Sequence, residues 1–231
     1  MNREKIVFRF MNSKECAMVE FIAPTRKVGD LGIGYFEMYE EDRGRLISFQ
    51  RAHDEGITEQ ELYDLAKENT KRLYPSRVES MENMLLEMGI PLEQEIPKEN
   101  QLYVISNEMR NQGAIHALYP ENLEKIAEIV DDDLYLIPSS VHEMLAVSKK
   151  ANPDVLRLQD IIHETNLKQV LPEERLSNQV FCYSRATQEF DQVYTGRYLN
   201  LEMTPLDDCE EEIDEEEDFE FEGYEGMTMG Q

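Results

Sequence analysis

Residues 102–147, LYVISNEMRNQGAIHALYPENLEKIAEIVDDDLYLIPSSVHEMLAV, hold three short apolar runs around one amphipathic helix pattern. The runs LYVI, LYLI and MLAV have the length and the aromatic and β-branched content of strands. LYVI is apolar throughout, which marks a central strand covered on both faces. After it, Pro120 suits the first position of a helix, and Leu123, Ile126, Ala127 and Val130 recur on one face. Asp131-Asp132-Asp133 closes that helix. Further on, Asn152-Pro153 reads as a cap followed by an N1 proline. Val155, Leu158 and Ile162 then predict a helix to about Leu167, and Pro172 bars its continuation. VFCYS and FDQVY give two more strands. The order β-α-β-β-α-β with one extra strand predicts an α+β fold. It has two layers, an antiparallel or mixed sheet with helices on one face, and a C-terminal half of the split βαβ type.

Upstream, IVFRFMN and AMVEFIA alternate apolar and polar positions, as half-buried strands do. Gly32-Ile33-Gly34-Tyr35-Phe36 reads as a glycine-bent strand. It lacks the GxGxxG spacing and the Lys-Ser/Thr ending of a phosphate loop. YFEMYEED and RLISFQ form a hairpin pattern across Asp42-Arg43-Gly44. Thr58 and Glu61 make a capping box, with Ile57 placed to staple onto Leu62. Leu62, Leu65, Ala66 and Leu73 form the inward face, and Pro75 ends the helix. Ser76 and Glu79 suggest a second capping box. Val78, Met81, Met84, Leu85 and Met88 follow as an apolar stripe, expected to pack in the core rather than form an adaptable groove. Gly89 and Pro91 stop it. These signals divide the chain into an N-terminal α+β region (1–89), a connector (90–100), a C-terminal α+β domain (101–197) and an acidic tail (198–231).

The charge is unevenly spread. Of a net −26 from 23 basic and 49 acidic residues, the fourteen acidic residues of 198–231, with no Lys or Arg among them, carry −14. That leaves −12 on the rest, so the body is acidic too. Such a chain is unsuited to direct nucleic-acid binding, which needs clustered Lys and Arg. The tail has too few apolar residues to offset its chain entropy and is expected to be disordered. Its charge instead suits a basic protein as partner. No run of eighteen apolar residues occurs, so no membrane helix is expected. The charged N-terminus lacks a secretory pattern, which points to the cytoplasm. The cysteines, Cys16, Cys182 and Cys209, are odd in number and widely spaced, which argues against a disulfide framework. The histidines, His53, His116, His142 and His163, show neither HxH nor HExxH spacing. No metal or cofactor is implied. His163, beside Glu164 on a helix, is expected to be solvated.

Two stretches carry candidate chemistry. Ser139, Ser140, His142 and Glu143 supply the parts of a nucleophile, base and orienter. As a turn feeding a strand, however, the segment would point His142 and Glu143 to opposite faces, and Ser and Pro are ordinary turn residues. Asn107, Arg110 and Gly113 follow the central strand, where ligands often bind, and Arg110 suits an anion. The structural reading is a turn in which Asn107 bonds its own backbone and Gly113 supplies a positive φ. Three functions follow in order of preference. They are a non-catalytic interaction or ligand-binding module, a small hydrolase or transferase using Ser139 or Ser140 with His142, and an acidic mimic of nucleic acid binding a basic protein.

The stretches GITEQELYDLAKENTKRL and 102–147 together resemble an uncharacterised family of bacterial proteins, a domain of unknown function abundant in Gram-positive intestinal anaerobes. The matching positions are Glu61, Leu62, Ala66, Asn69 and Thr70, then Asn107, Gly113 and Ala114, then Pro138, Ser139, Ser140, His142 and Glu143. Ile137 departs from the pattern. The resemblance runs from about Lys5 to Tyr194. It excludes the acidic tail, and family members usually carry further sequence ahead of this chain's first residue. In element order the chain also resembles, more distantly, an uncharacterised family of hypothetical proteins from bacilli. Neither resemblance implies an activity, a substrate or a catalytic residue.

Overall fold

The computed structural model describes residues 1–40, 43–91, 94, 96–151 and 153–198. The expected turn at Asp42, the cap at Asn152 and the whole run 199–231 lie outside the described residues.

The first strands form a small antiparallel sheet. β1 (Ile6–Met11), β2 (Thr25–Val28), β3 (Leu31–Met38) and β4 (Gly44–Leu46) pair in the order β1-β3-β2, with β4 also on β3. The glycine-bent stretch is β3, and the expected hairpin is present as Phe36 opposite Leu46 and Met38 opposite Gly44. The segment AMVEFIA is not a strand. Its first residues belong to α1 (Ser13–Val19), which buries Cys16 and Val19 at a helical spacing of three. Asn12 accepts from the Glu15 N–H while the Glu15 carboxylate accepts from the Asn12 N–H, so two donors otherwise unpaired at the helix start are satisfied.

α2 (Phe49–Asp54) leads to α3 (Glu59–Leu73), which starts at the expected capping box of Thr58 and Glu61. Leu62 and Ala66 are buried, whereas Leu73 is exposed rather than inward. Asn69 and Thr70 fix the helix to β1. Asn69 Nδ2 donates to Arg3 O (2.7 Å) and Ile6 O (2.9 Å), and Thr70 Oγ1 accepts from Phe8 N (3.1 Å).

The expected second helix from Ser76 is instead β5 (Ser76–Ser80), followed by a shorter α4 (Met81–Glu87) capped by Ser80. Pairing with the next strand outweighs the local capping signal, because it engages a whole row of backbone groups. The methionine stripe is not core: α4 buries no side chain, and Leu86 and Met88 are exposed.

The larger sheet has six strands. β6 (Tyr103–Asn107), α5 (Pro120–Val130), β7 (Leu134–Ser140), β8 (Glu143–Ser148), α6 (Val155–Lys168), β9 (Phe181–Ser184) and β10 (Glu189–Gln192) follow in chain order. The strand order is β10-β9-β7-β8-β6-β5, and every pair is antiparallel. LYVI and LYLI thus share one sheet. β8 lies between β6 and β7, which α5 connects, so the split βαβ unit is present. Asp154, not proline, opens α6, accepting from Leu156 N at 2.9 Å.

One buried cluster holds Ile6, Phe8 and Tyr35 from the small sheet with Leu62 from α3. It also holds Ile105, Leu123, Leu136 and Phe181 from the larger sheet and α5. Ile162 of α6 is buried outside it. β5 precedes residues 90–100 yet is the edge strand of the sheet that follows them, so this segment links two parts of one compact unit. Among the described residues no helix is long and apolar enough to cross a membrane.

Candidate functional site

β6 ends at Asn107, and the loop that follows is held by that side chain. Asn107 Nδ2 donates to Asn111 O (2.7 Å), and Asn111 N donates back to Asn107 Oδ1 (3.2 Å). Arg110 N reaches Asn107 O at 3.0 Å, and Glu108 N reaches Pro75 O at 3.0 Å. The loop puts Arg110 and Gln112 in the left-handed region, both at φ 52. Gly113 does not, which corrects the expected role of that residue. It is glycine because the chains crowd there: a Cβ would stand 2.3 Å from Ser106 Oγ and 2.7 Å from both Asn107 N and His142 O. Two left-handed non-glycine residues cost local energy, which the surrounding hydrogen bonds must offset.

The hairpin between β7 and β8 meets this loop. Ser139 and Ser140 end β7, with a bulge between Pro138 and Ser140, and Val141 with His142 forms the tight turn. This inverts the expectation of serines in the turn and His142 in the strand. Gly113 N donates to His142 O (3.1 Å), Ala114 N to Val141 O (3.2 Å) and Ser106 Oγ to His142 O (2.7 Å). The Gln112 N–H donates to His142 Nδ1 at 3.2 Å. That nitrogen is therefore an acceptor, so the neutral ring carries its hydrogen on Nε2. Nε2 in turn lies 3.1 Å from Glu174 Oε1, and Val141 N donates to Glu174 O at 2.8 Å. The two candidate segments do converge, and a third that the sequence did not suggest, the short 3-10 turn Pro172–Glu174, completes them. Pro172 had signalled only a helix stop.

The convergence does not assemble a nucleophile. Ser139 Oγ donates to Glu143 Oε1 (3.1 Å), and Ser140 Oγ accepts from His142 N (3.1 Å). Both imidazole nitrogens are engaged, and Glu143 does not orient the ring. Arg110 is partnered by Glu79 at 3.2 Å, and Glu79 also binds Arg77, so its charge is partly neutralised before any anion arrives. A small cleft lies between the loop and β1, touched by Val7, Thr70, Tyr74, Met109 and Gln112, with a volume of about 20 Å³, room for one water.

A second serine–histidine contact lies elsewhere and was invisible in the sequence. Ser76 Oγ stands 2.8 Å from His116 Nδ1, and Asn122 Nδ2 donates to Ser76 Oγ (3.0 Å) and to His116 O (2.8 Å). His116 is fully buried, and its Nε2 has no partner among the described residues. Burial pushes its pKa down to about 4. An imidazole held that low is a weak base, and no carboxylate orients it, so the contact reads as a core hydrogen bond rather than an activated serine.

His163 is half-buried rather than solvated. It stacks on Tyr198 at 4.6 Å, and its Nδ1 is buried without a partner among the described residues. Cys16 is buried and Cys182 half-buried, and burial raises the Cys182 thiol pKa. Among the described residues no group of three or more His, Cys, Asp or Glu side chains is placed to hold a metal.

With this geometry in hand, the comparisons with known proteins add a family and no activity. A family model described as a family of unknown function (DUF5688) matches residues 1–185, and the chain belongs to that family. No curated protein and no solved structure matches the chain.

Proposed function

We propose that this DUF5688 member is a non-catalytic binding module that engages a ligand or protein with the tip of the 107–113 loop. The observation that carries this reading is the use made of the His142 ring. One nitrogen holds the Gln112 backbone, the other meets Glu174, and neither faces a serine. The histidine that a hydrolase would need as a base is here a support for a loop. That loop presents the exposed side chains of Glu108, Met109 and Arg110 on a base formed by buried Asn107 and Gly113. Exposed tips on locked bases are how proteins make recognition loops without large ordering costs. Cys16 and Cys182, both free, suit a reducing cytoplasm.

The test is exposure of the full chain to a fluorophosphonate serine probe. No labelling is expected. Labelling that vanishes in both Ser139→Ala or Ser140→Ala and His142→Ala, with unchanged thermal melts, would establish the hydrolase reading instead. The charge of residues 198–231 favours one further reading, a tail that draws in a basic protein. It predicts that the chain retains polyarginine at an ionic strength of ~0.15 M, and that removing the tail weakens retention strongly, since the body keeps only −12.

A further inference from the structure

The end of α1, the turn after it and the start of α2 leave apolar side chains with nothing over them among the described residues. At the end of α1 and in the turn after it, Met18 is 68% exposed and Phe21 82%, with Ile22 beside them. Phe49, 50% exposed, starts α2, and its N–H donates to Ile22 O at 2.9 Å, so the two segments form one surface. A shallow groove runs beside Phe21, bordered by Pro24, Thr25 and Phe49. Monomeric proteins seldom leave several large apolar side chains adjacent and this exposed.

The charges on the rim identify what fits. Lys27 pairs with Glu20 at 2.9 Å, and Arg26 pairs with Glu59 at 2.8 Å. Each cation is matched by an anion, so on a strongly acidic body this rim is locally neutral. The acidic tail gains nothing here, because two carboxylates line the groove and the cations are already paired. A basic partner meets the same balance. A protruding aromatic ring next to an apolar groove, with a rim that is already neutral, is instead self-complementary. That is what an isologous two-fold contact requires, since each patch must receive its own copy.

We propose that this face is the contact between two copies of the chain. Phe21 of each copy enters the groove beside Pro24 and Phe49 of the other, while the intrachain Glu20–Lys27 pair leaves the rim neutral where the two copies meet. Repulsion between two chains of net charge −26 opposes this pairing at long range. Association therefore strengthens with salt, because screening shortens the repulsion while the apolar contact is kept.

Sedimentation equilibrium on the full chain at low and high salt tests the proposal. The expected result is a monomer–dimer equilibrium that shifts toward dimer at high salt. Phe21→Arg should weaken it at least tenfold without changing the thermal melt, since Phe21 supports no core. Phe49→Arg, made separately, should do the same. A monomer at every concentration and salt overturns the proposal, as does a dimer that survives both substitutions. A dimer that forms only after residues 199–231 are removed, even at high salt where their repulsion is screened, also overturns it, because the tail and not a second copy would then cover the face.

Discussion

His116 shows how a residue can be conspicuous in chemistry and structural in role. Its ring is completely buried and its pKa is held at about 4, against an ordinary imidazole value near 6.5. As pH falls through that interval the unfolded chain takes up a proton that the folded chain resists. The contribution to stability is thus fully present above the unfolded value and is lost as pH falls toward the folded one. It amounts to about 3 kcal/mol. Urea unfolding should therefore show stability dropping by about 3 kcal/mol more in the natural chain than in His116→Asn between neutral and acid pH. Parallel profiles for the two would show that the buried ring is protonated in the fold. No local pattern signals this residue's surroundings: Ser76 lies 40 positions away and Asn122 is on the next helix. By contrast Asn69, Thr70, Asn107 and Gly113 stood out at once through their match to a family pattern. Their role did not. Asn69, Thr70 and Asn107 bond to backbone, and Gly113 permits an approach that a methyl group would block.

At the scale of elements, readings succeeded where local signals and tertiary pairing agreed. α3 starts where Thr58 and Glu61 require, and α5 follows its proline. The failures have two physical sources. Residues 17–23 alternate apolar and polar as a strand does, yet Asn12 with Glu15 ahead of them is the spacing of a capping box, and it decides for helix. At residues 76–80 the reverse happened. A genuine capping spacing was present, but β6 offered an unpaired edge, and five register pairs from Ser76–Asn107 to Ser80–Tyr103 form instead. Only the β6 edge, unknown from local sequence, distinguishes these cases. The importance of the Asn12 cap can be measured. Its side chain accepts from Glu15 N and also donates to Arg175 O at 3.0 Å, tying α1 to the segment after α6. Asn12→Ala should cost about 1–2 kcal/mol in denaturant unfolding, the upper part of the range for caps. A loss near zero would show that solvent replaces both bonds.

Across the whole molecule, the candidate site depends on contacts that no local reading supplies. Gln112 meets His142 across 30 residues, and His142 meets Glu174 across 32. The sequence marked two of the three segments but not their convergence, nor that the meeting consumes the polar groups that had suggested catalysis. One property of the whole was legible from composition alone, the charge imbalance, and it leads to a prediction about residues 199–231. Fourteen acidic side chains without a cation repel one another at spacings below the ~8 Å screening length of physiological salt. They also repel a body that itself carries −12. Phe219, Phe221 and Tyr224 are too few to form a core against that repulsion, while Gly223, Gly226 and Gly230 add chain entropy. The core cluster already joins both sheets using residues no later than Phe190. Removal of residues 199–231 should therefore leave the melting temperature unchanged at high salt and raise it slightly at low salt, where self-repulsion is least screened. A fall of more than a few degrees at either salt would mean that the tail packs on the body and contributes to its stability.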